Sequence, residues 1–162
     1  MKLYLIRHAA AQDPSQAPET ERGLSESGRS RMMRVALGLR KLHIQPELIL
    51  TSPLKRAVET ATIIAQGLDD VRIETMKELS PGAELKSLIG KLRPHSKLSA
   101  LALVGHQPDL GQLASFLLAG SPNACQVELK KGGVALLSGD LSEQPARFGL
   151  DWLLSPKILR RL

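Results

Sequence analysis

Three short apolar segments of this chain each end abruptly at polar or charged residues. The segments are LYLI at 3–6, LIL at 48–50 and LALV at 101–104. Strands that are buried on both faces of a sheet read as unbroken apolar runs, because neither face alternates with solvent. The segments therefore predict central strands of a sheet that helices cover on both sides.

Helical patterns lie between these strands. In segment 24–44 the apolar residues recur at three- and four-residue spacing, which is typical of one buried helix face, and Ser25 is a suitable N-cap. A second helix is predicted from Ser52 to about Gly67, with Ser52 as its cap and Pro53 in the first helical position. Further helices are predicted at 83–93 and 108–120.

The alternation of strands and helices determines the predicted fold class. Strand–helix–strand units imply right-handed crossovers and a mainly parallel sheet. The C-terminal third differs, because segment 127–140 predicts a hairpin around Gly132 and Gly133, and 147–155 predicts a last strand. We expect a three-layer α/β/α fold with a mainly parallel central sheet and antiparallel C-terminal strands.

Length and composition limit the protein classes that fit. With 162 residues, of which 43% are hydrophobic and 23% charged, the chain predicts one globular domain spanning residues 1–162. No apolar run approaches the roughly 18 residues of a membrane helix. The lone cysteine, Cys125, has no partner for an internal disulfide and is interpreted as structural. We therefore expect a cytoplasmic protein with no membrane association.

The net charge of +6 is compatible with an anionic partner. Lys157, Arg160 and Arg161 in the last six residues supply three of these charges. A short charged tail is usually a solvated chain end, so binding of nucleic acid through it is an alternative that the sequence does not favour.

Polar residues follow three predicted strands at one edge of the sheet. Arg7 and His8 follow the first strand, Arg56 lies in TSPLKR after the second, and His106 lies in GHQPD after the strand at 98–105. Carboxyl ends of parallel strands share one edge, which is where such folds bind ligands. These side chains are therefore expected to meet in one cleft.

Two arginines and two histidines at such an edge indicate a phosphate site. Arginine forks match pairs of phosphate oxygens, and helix N-termini add unpaired N–H groups. A neutral imidazole can attack phosphorus and hold the phosphoryl group covalently. Taken singly, each residue has a structural alternative: Arg7 paired with a carboxylate, Arg56 solvated near Glu59, His8 hydrogen-bonded at the strand end, and His106 capping the helix that follows it.

The segments LIRHA, LTSPLKRAVETA and ALVGHQPDL resemble, in order and spacing, the histidine phosphatase superfamily with its phosphoglycerate-mutase-like fold. The short chain and the ELSPGAE segment are most similar to the SixA-type phosphohistidine phosphatases. The resemblance implies that His8 is the nucleophile and that Arg7, Arg56 and His106 bind the phosphoryl group. Ser52 is a further candidate ligand of phosphate, although a capping role alone would account for it.

Two positions depart from the superfamily pattern. Ala9 replaces the glycine that commonly follows the Arg-His pair, which predicts strain if that backbone tolerates only glycine. The glutamate that serves as general acid in mutase-like members has no clear counterpart, since Pro81 stands near its expected place. Glu78, Glu84 and Asp109 are the remaining candidates for the proton donor.

A weak or absent acid favours a phosphohistidine substrate, because imidazole is an easier leaving group than an alkoxide. Only segment 10–23 is long enough to form a lid, so we expect an open cleft that admits a protein-borne phosphohistidine, such as that of a phosphorelay protein.

The arginines make a metal or cofactor unnecessary. Alternatives are a small-molecule phosphomonoesterase or mutase-like enzyme, a non-catalytic phosphate- or phosphoprotein-binding module, and a metal site of His8, His106 and Asp109.

Overall fold

The computed structural model describes residues 1–162 and contains one six-stranded sheet. The strands are β1 Lys2–Arg7, β2 Leu48–Thr51, β3 Ile73–Thr75, β4 Ala100–Gly105, β5 Val134–Asp140 and β6 Arg147–Leu154. The α-helices are α1 Glu26–Lys41, α2 Lys55–Gly67, α3 Leu85–Leu92, α4 Asp109–Ala119 and α5 Pro156–Leu159. Two 3₁₀ turns cover Lys77–Leu79 and Arg93–His95. No helix has the length and apolar character needed to span a membrane.

The sheet order is β3-β2-β4-β1-β5-β6, and it confirms the predicted fold class. Strands β3, β2, β4 and β1 are parallel to one another, whereas β5 and β6 are antiparallel to their neighbours. The three strands with polar ends, β2, β4 and β1, are direct neighbours in the middle of the sheet. Their carboxyl ends therefore lie side by side.

Two apolar clusters cover the two faces of the sheet. Tyr4 and Ile6 of β1 point into a cluster of 22 buried residues with α1, α2 and α5. Leu3 and Leu5 point to the opposite face, into a cluster of 20 buried residues with α3 and α4. Central strands are thus buried on both faces, as their unbroken apolar sequences predict.

The predicted cap of the first helix is confirmed, but that of the second is wrong. The Ser25 hydroxyl accepts a hydrogen bond from the Gly28 N–H at 3.0 Å. Helix α2 begins at Lys55 and its N-cap position, Leu54, makes no side-chain cap bond. Ser52 instead lies fully buried in the turn before the helix, with its hydroxyl 2.9 Å from Nε2 of His106. Ser52 therefore connects this turn to His106 at the carboxyl end of β4.

The predicted hairpin around Gly132 and Gly133 is also wrong. Residues 127–133 form no strand, and the antiparallel hairpin is made by β5 and β6 through 141–146. Gly132 has a φ of +78°, and its N–H donates to the carbonyl oxygens of Arg7 and His8 at 3.0 and 3.2 Å. The glycine pair therefore closes a loop against the end of β1 instead of pairing two strands.

Two helical glycines give opposite stability predictions for the same substitution. A Cβ on Gly38 of α1 would lie 2.0 Å from the backbone oxygen of Leu159 in α5, whereas a Cβ on Gly90 of α3 would meet nothing within 4 Å. We expect Gly38→Ala to lower the free energy of unfolding by about 1–3 kcal/mol through overpacking. Gly90→Ala is expected to raise it by about 0.5–1 kcal/mol through helix propensity. Urea unfolding of both variants tests this, and a stabilised Gly38→Ala would contradict the close packing of α1 and α5.

Candidate active site

Four polar side chains meet at the carboxyl edge of β1, β4 and β2. Arg7 ends β1 and is followed by His8, His106 follows β4, and Arg56 lies in the first turn of α2 behind β2. The His8 and His106 ring centroids are 4.9 Å apart, and Nε of Arg56 lies 3.4 Å from Nε2 of His8. The structure therefore brings these four residues together in one cleft, as the sequence predicts.

The hydrogen bonds of His8 define which ring nitrogen carries the proton. Nδ1 lies 2.7 Å from the carbonyl oxygen of Ala9, which can only accept, so Nδ1 is the protonated nitrogen. Nε2 faces the Arg56 N–H, which can only donate. Both contacts agree on the same tautomer, in which Nε2 is unprotonated and its lone pair faces the Nε–H of Arg56 at 3.4 Å.

Burial keeps both imidazoles neutral. The pKa of His8 is lowered to about 4, chiefly by burial and further by the positive charges of Arg56, Arg7 and Lys131, against the bond to Ala9 that raises it. Burial likewise lowers the pKa of His106 to about 3, with smaller contributions from His8 and the two arginines. At neutral pH the Nε2 lone pair of His8 is therefore available as a nucleophile.

We expect neither imidazole to become protonated between pH 8 and pH 5 in the folded protein. Proton and nitrogen NMR chemical shifts of the His8 and His106 rings should stay constant over this range, whereas the urea-unfolded chain should titrate near the usual value of about 6.5. Because the pKa values are depressed in the fold, the unfolded chain binds more protons below pH 6.5, so stability falls as pH decreases there. Titration of both folded rings near pH 6.5 would contradict the buried site.

The two arginines adopt neither of their predicted structural alternatives. Arg7 donates from Nη1 to the Leu129 carbonyl at 2.8 Å and forms no ion pair with a carboxylate. Arg56 is 3% exposed, so it is not a solvated helix residue, and its ion-pair partner is Glu19 rather than Glu59. The Arg56 guanidinium is thus buried beside His8 and that of Arg7 is half-buried, and a dianion between them would compensate their charge.

A cavity of about 540 Å³ lies over these residues and contains groups that the sequence did not single out. Its lining includes Glu19 and Arg22 from the 10–23 segment, together with Lys131 from the loop that Gly132 anchors to β1. The signal available in the sequence was the cluster of charges in PETERG, inside the one segment long enough to cover the cleft. Segment 10–23 thus contributes residues directly to the site.

None of the three candidate proton donors lines this cavity. Oδ1 of Asp109 accepts from the Gly82 N–H at 3.0 Å and so anchors the turn that places Pro81 at the cavity wall. Glu84 lines a separate cavity beside α3, and Glu78 lies in a 3₁₀ turn outside the lining. Asp109 is therefore not part of the metal set considered with His8 and His106, and no group of three His, Cys, Asp or Glu side chains is placed to hold a metal ion.

Two further expectations are corrected by the structure. Ala9 is absent from the positions with positive φ and its N–H donates to the Thr60 hydroxyl at 3.1 Å, so the expected strain at this residue does not arise. The methyl group is 3% exposed and packs in the core, and His8 is not displaced. Cys125, interpreted from the sequence as structural, is a free and exposed cysteine.

Comparison with known proteins agrees with this geometry. A sequence model of the histidine phosphatase superfamily (branch 1) matches residues 3–82, a region that includes His8 and Arg56. The chain belongs to the histidine phosphatase superfamily. An uncharacterized protein of Picosynechococcus sp. is 36% identical to this superfamily member over 140 residues, covering 83% of this chain and 82% of the relative.

Solved structures of two phosphatases share the fold over nearly the whole chain. The protein histidine phosphatase SixA complexed with tungstate superposes with a TM-score of 0.84 at 22% identity, covering 98% of this chain and 99% of that one. A mycobacterial glucosyl-3-phosphoglycerate phosphatase with inorganic phosphate superposes with a TM-score of 0.70 at 21% identity, covering 96% and 98%. The phosphoglycerate-mutase-like architecture is therefore established, and as a superfamily member the protein is a phosphatase.

Proposed function

We propose that this phosphatase hydrolyses phosphohistidine through a covalent phospho-His8 intermediate. The lone pair on Nε2 of His8 forms a bond to phosphorus while the bond between phosphorus and the substrate imidazole nitrogen breaks, and that nitrogen keeps the electron pair and takes a proton from solvent. Water then attacks phospho-His8, which releases inorganic phosphate and returns His8 to its neutral form. The observation that carries this proposal is the neutral His8, whose unprotonated Nε2 lies next to the buried Arg56 in a cavity that Arg7 also lines.

The neighbouring groups are proposed to bind the phosphoryl oxygens. Arg56 and Arg7 neutralise the negative charge that the three equatorial oxygens carry in the transition state, a role that metal ions or arginine fingers perform elsewhere. His106 and the Ser52 hydroxyl, which lie 2.9 Å apart, add hydrogen bonds on the side of β2 and β4. These protein groups supply the stabilisation without a cofactor.

The substrate class follows from the groups at the cavity wall. A phosphate ester leaves as an alkoxide and needs a positioned acid, but Glu78, Glu84 and Asp109 do not line the cavity. Two other carboxylates do line it, Glu19 and Asp13. Both Glu19 oxygens accept bonds from arginines, and the hydrogen bonds from the Ser15 hydroxyl and N–H to Oδ1 of Asp13 lower the pKa of that carboxyl, so neither presents a proton to a leaving group. An imidazole leaving group depends less on a positioned acid, which favours phosphohistidine as the substrate. The structural likeness to a protein histidine phosphatase supports the same substrate class.

The partner is proposed to be a protein that bears the phosphohistidine, such as a cytosolic phosphorelay protein. The cavity opens on the surface, with Asp13 and Pro14 from segment 10–23 at its lining and both residues exposed. An open cleft admits a histidine presented on a second protein, and it also admits the water that hydrolyses the intermediate. This favours a phosphatase over a mutase.

A panel of substrates tests the proposal directly. Phosphate release would be measured from a phosphohistidine-bearing phosphotransfer protein, from free phosphoimidazole and from small phosphate monoesters, each at matched enzyme concentration. We expect kcat/KM to be highest with the protein substrate. The likeness to glucosyl-3-phosphoglycerate phosphatase makes small-molecule phosphatase activity the second candidate, and turnover of esters alone would establish it instead. Binding of phosphate with no turnover of any substrate would indicate a non-catalytic module.

A further inference from the structure

The Glu19 carboxylate lies in the phosphate-binding region of the cleft. It accepts a hydrogen bond from Nη2 of Arg56 at 2.5 Å through one oxygen and from Nη2 of Arg22 at 2.7 Å through the other. The Glu19 backbone carbonyl accepts a further bond from Nη1 of Arg56 at 2.9 Å. One glutamate thus engages both terminal nitrogens of a buried arginine, although its own side chain is 61% exposed.

Glu19 occupies the end of Arg56, across Nη1 and Nη2, and Nη2 also belongs to the edge that faces the nucleophile. In a guanidinium group, Nε and Nη2 lie on the same side and form one of the two forks that bind paired oxygens. Nε of Arg56 points to Nε2 of His8, and Nη2 of the same fork is bonded to Glu19. A phosphoryl group positioned for attack by His8 binds at this edge, so its oxygens meet the Glu19 carboxylate at Nη2, where the two anions repel each other.

We propose that Glu19 is an intramolecular competitor of the phosphoryl group, and that it sets the affinity of the site for phosphate. This inference rests on the proposed role of Arg56 as a phosphate ligand. When the phosphoryl group binds, the Glu19 carboxylate moves out toward solvent with segment 10–23. When inorganic phosphate has formed, the carboxylate returns to Arg56 and assists its release.

The charges around Glu19 explain why it is an effective competitor and a removable one. Glu19 pairs with Arg22 and Arg56, and Arg7 and Lys131 also line the cavity. These positive charges attract both the Glu19 carboxylate and a phosphoryl group. Arg56 cannot turn away, because its side chain is 4% exposed and packed at the start of α2. Glu19 is exposed and lies in a segment without helix or strand, so its displacement breaks little packing.

The contact between Glu19 and Arg56 therefore disfavours ligands that bind the site weakly. Free phosphate or a small ester must displace the carboxylate using the phosphoryl contacts alone. A phosphohistidine on a protein gains further contacts outside the cleft, which offset the same displacement. The contact therefore keeps the site from filling with its own product while a larger substrate still binds.

Calorimetric titration with inorganic phosphate tests the inference on wild type, Glu19→Gln, Glu19→Asp and the control Glu21→Gln. Glu21 lies on the same exposed segment and does not line the cavity, so the control changes the net charge equally. We expect Glu19→Gln to bind phosphate roughly fivefold more tightly than wild type, in the range of an exposed ion pair, and Glu21→Gln to bind as wild type does. Glu19→Asp, whose shorter side chain reaches the two arginines less well, should fall between them.

Kinetics with a phosphate monoester or phosphoimidazole complete the test. The competitor role predicts a lower KM, stronger product inhibition and no loss of kcat in Glu19→Gln. Equal or weaker phosphate binding by Glu19→Gln would overturn the inference, since a residue that only positions Arg56 would lose affinity. A loss of kcat of about a hundredfold would instead assign Glu19 to proton transfer and also overturn it. If neither wild type nor Glu19→Gln binds phosphate, the proposed phosphate site itself fails.

Discussion

His8→Ala is expected to lower kcat by about 10⁴-fold or more while leaving the affinity for inorganic phosphate nearly unchanged. The substitution removes the atom that forms the covalent bond, and loss of a nucleophile has effects of this size in other covalent enzymes. The arginines that bind the phosphoryl oxygens remain in place, because Arg7 is anchored at Leu129 and the buried Arg56 side chain is packed at the start of α2. Rapid-quench measurement of phosphate release, paired with phosphate titration, separates the two effects.

A chemical rescue makes the His8 prediction more specific. The alanine variant leaves space beside His106 and Arg56 where the imidazole ring stood. Free imidazole in solution should enter this space, accept the phosphoryl group and restore part of the turnover, with phosphoimidazole as the product. His95→Ala, in the 3₁₀ turn after α3 and outside the cavity, is the matched control and should keep wild-type kcat. Retention of more than a tenth of kcat by His8→Ala would contradict nucleophilic catalysis by this residue.

Arg56→Ala is expected to reduce kcat/KM by about 10³-fold, which is the order found when an arginine that stabilises phosphoryl transfer is removed. The variant loses one fork for the phosphoryl oxygens and also the positive charge beside His8. Because that charge helps to lower the pKa of His8, its removal should move the pKa upward from about 4. The acid limb of kcat/KM for a given substrate should therefore shift to higher pH, and NMR titration of the His8 ring should show the same direction.

Two controls keep the Arg56 result interpretable. Arg56→Lys retains the charge but not the fork, so it should recover the His8 pKa better than it recovers kcat/KM. Arg40 lies in the last turn of α1, is exposed, pairs with Asp69 and does not line the cavity, so Arg40→Ala should be as active as wild type. An Arg56→Ala variant with kcat/KM within threefold of wild type would show that Arg56 is not a phosphate ligand.

The central strands and their polar ends were predictable because burial on both faces leaves a plain pattern in the sequence. Residues 3–6, 48–50 and 101–104 are apolar without alternation, and parallel pairing then places Arg7, His8 and His106 at one edge. This reasoning needs only the hydrophobic pattern and the direction of the strands. The fold class and the convergence of the site residues followed from it.

The features that the sequence could not supply depend on tertiary contacts. A Ser-Pro pair is equally suited to a helix cap and to a turn, and only the neighbouring β4 end, which brings His106 to Ser52, decides between them. The glycines at 132 and 133 favour any tight turn, and hydrogen bonds to Arg7 and His8 select the loop. Glu19 is one of several charged residues in segment 10–23, and its contact with Arg56 joins positions 37 residues apart.

Detection of the phosphoenzyme tests the central claim most directly. The enzyme would be mixed with phosphohistidine-bearing protein or phosphoimidazole, quenched in alkali within milliseconds, digested and analysed by mass spectrometry, because phosphohistidine survives alkali and is lost in acid. We predict a phosphoryl group on His8 that forms before free phosphate appears and decays at the rate of turnover, and none in His8→Ala. Full turnover with no phosphorylated His8 at any time, or a phosphoryl group on another residue, would contradict the account.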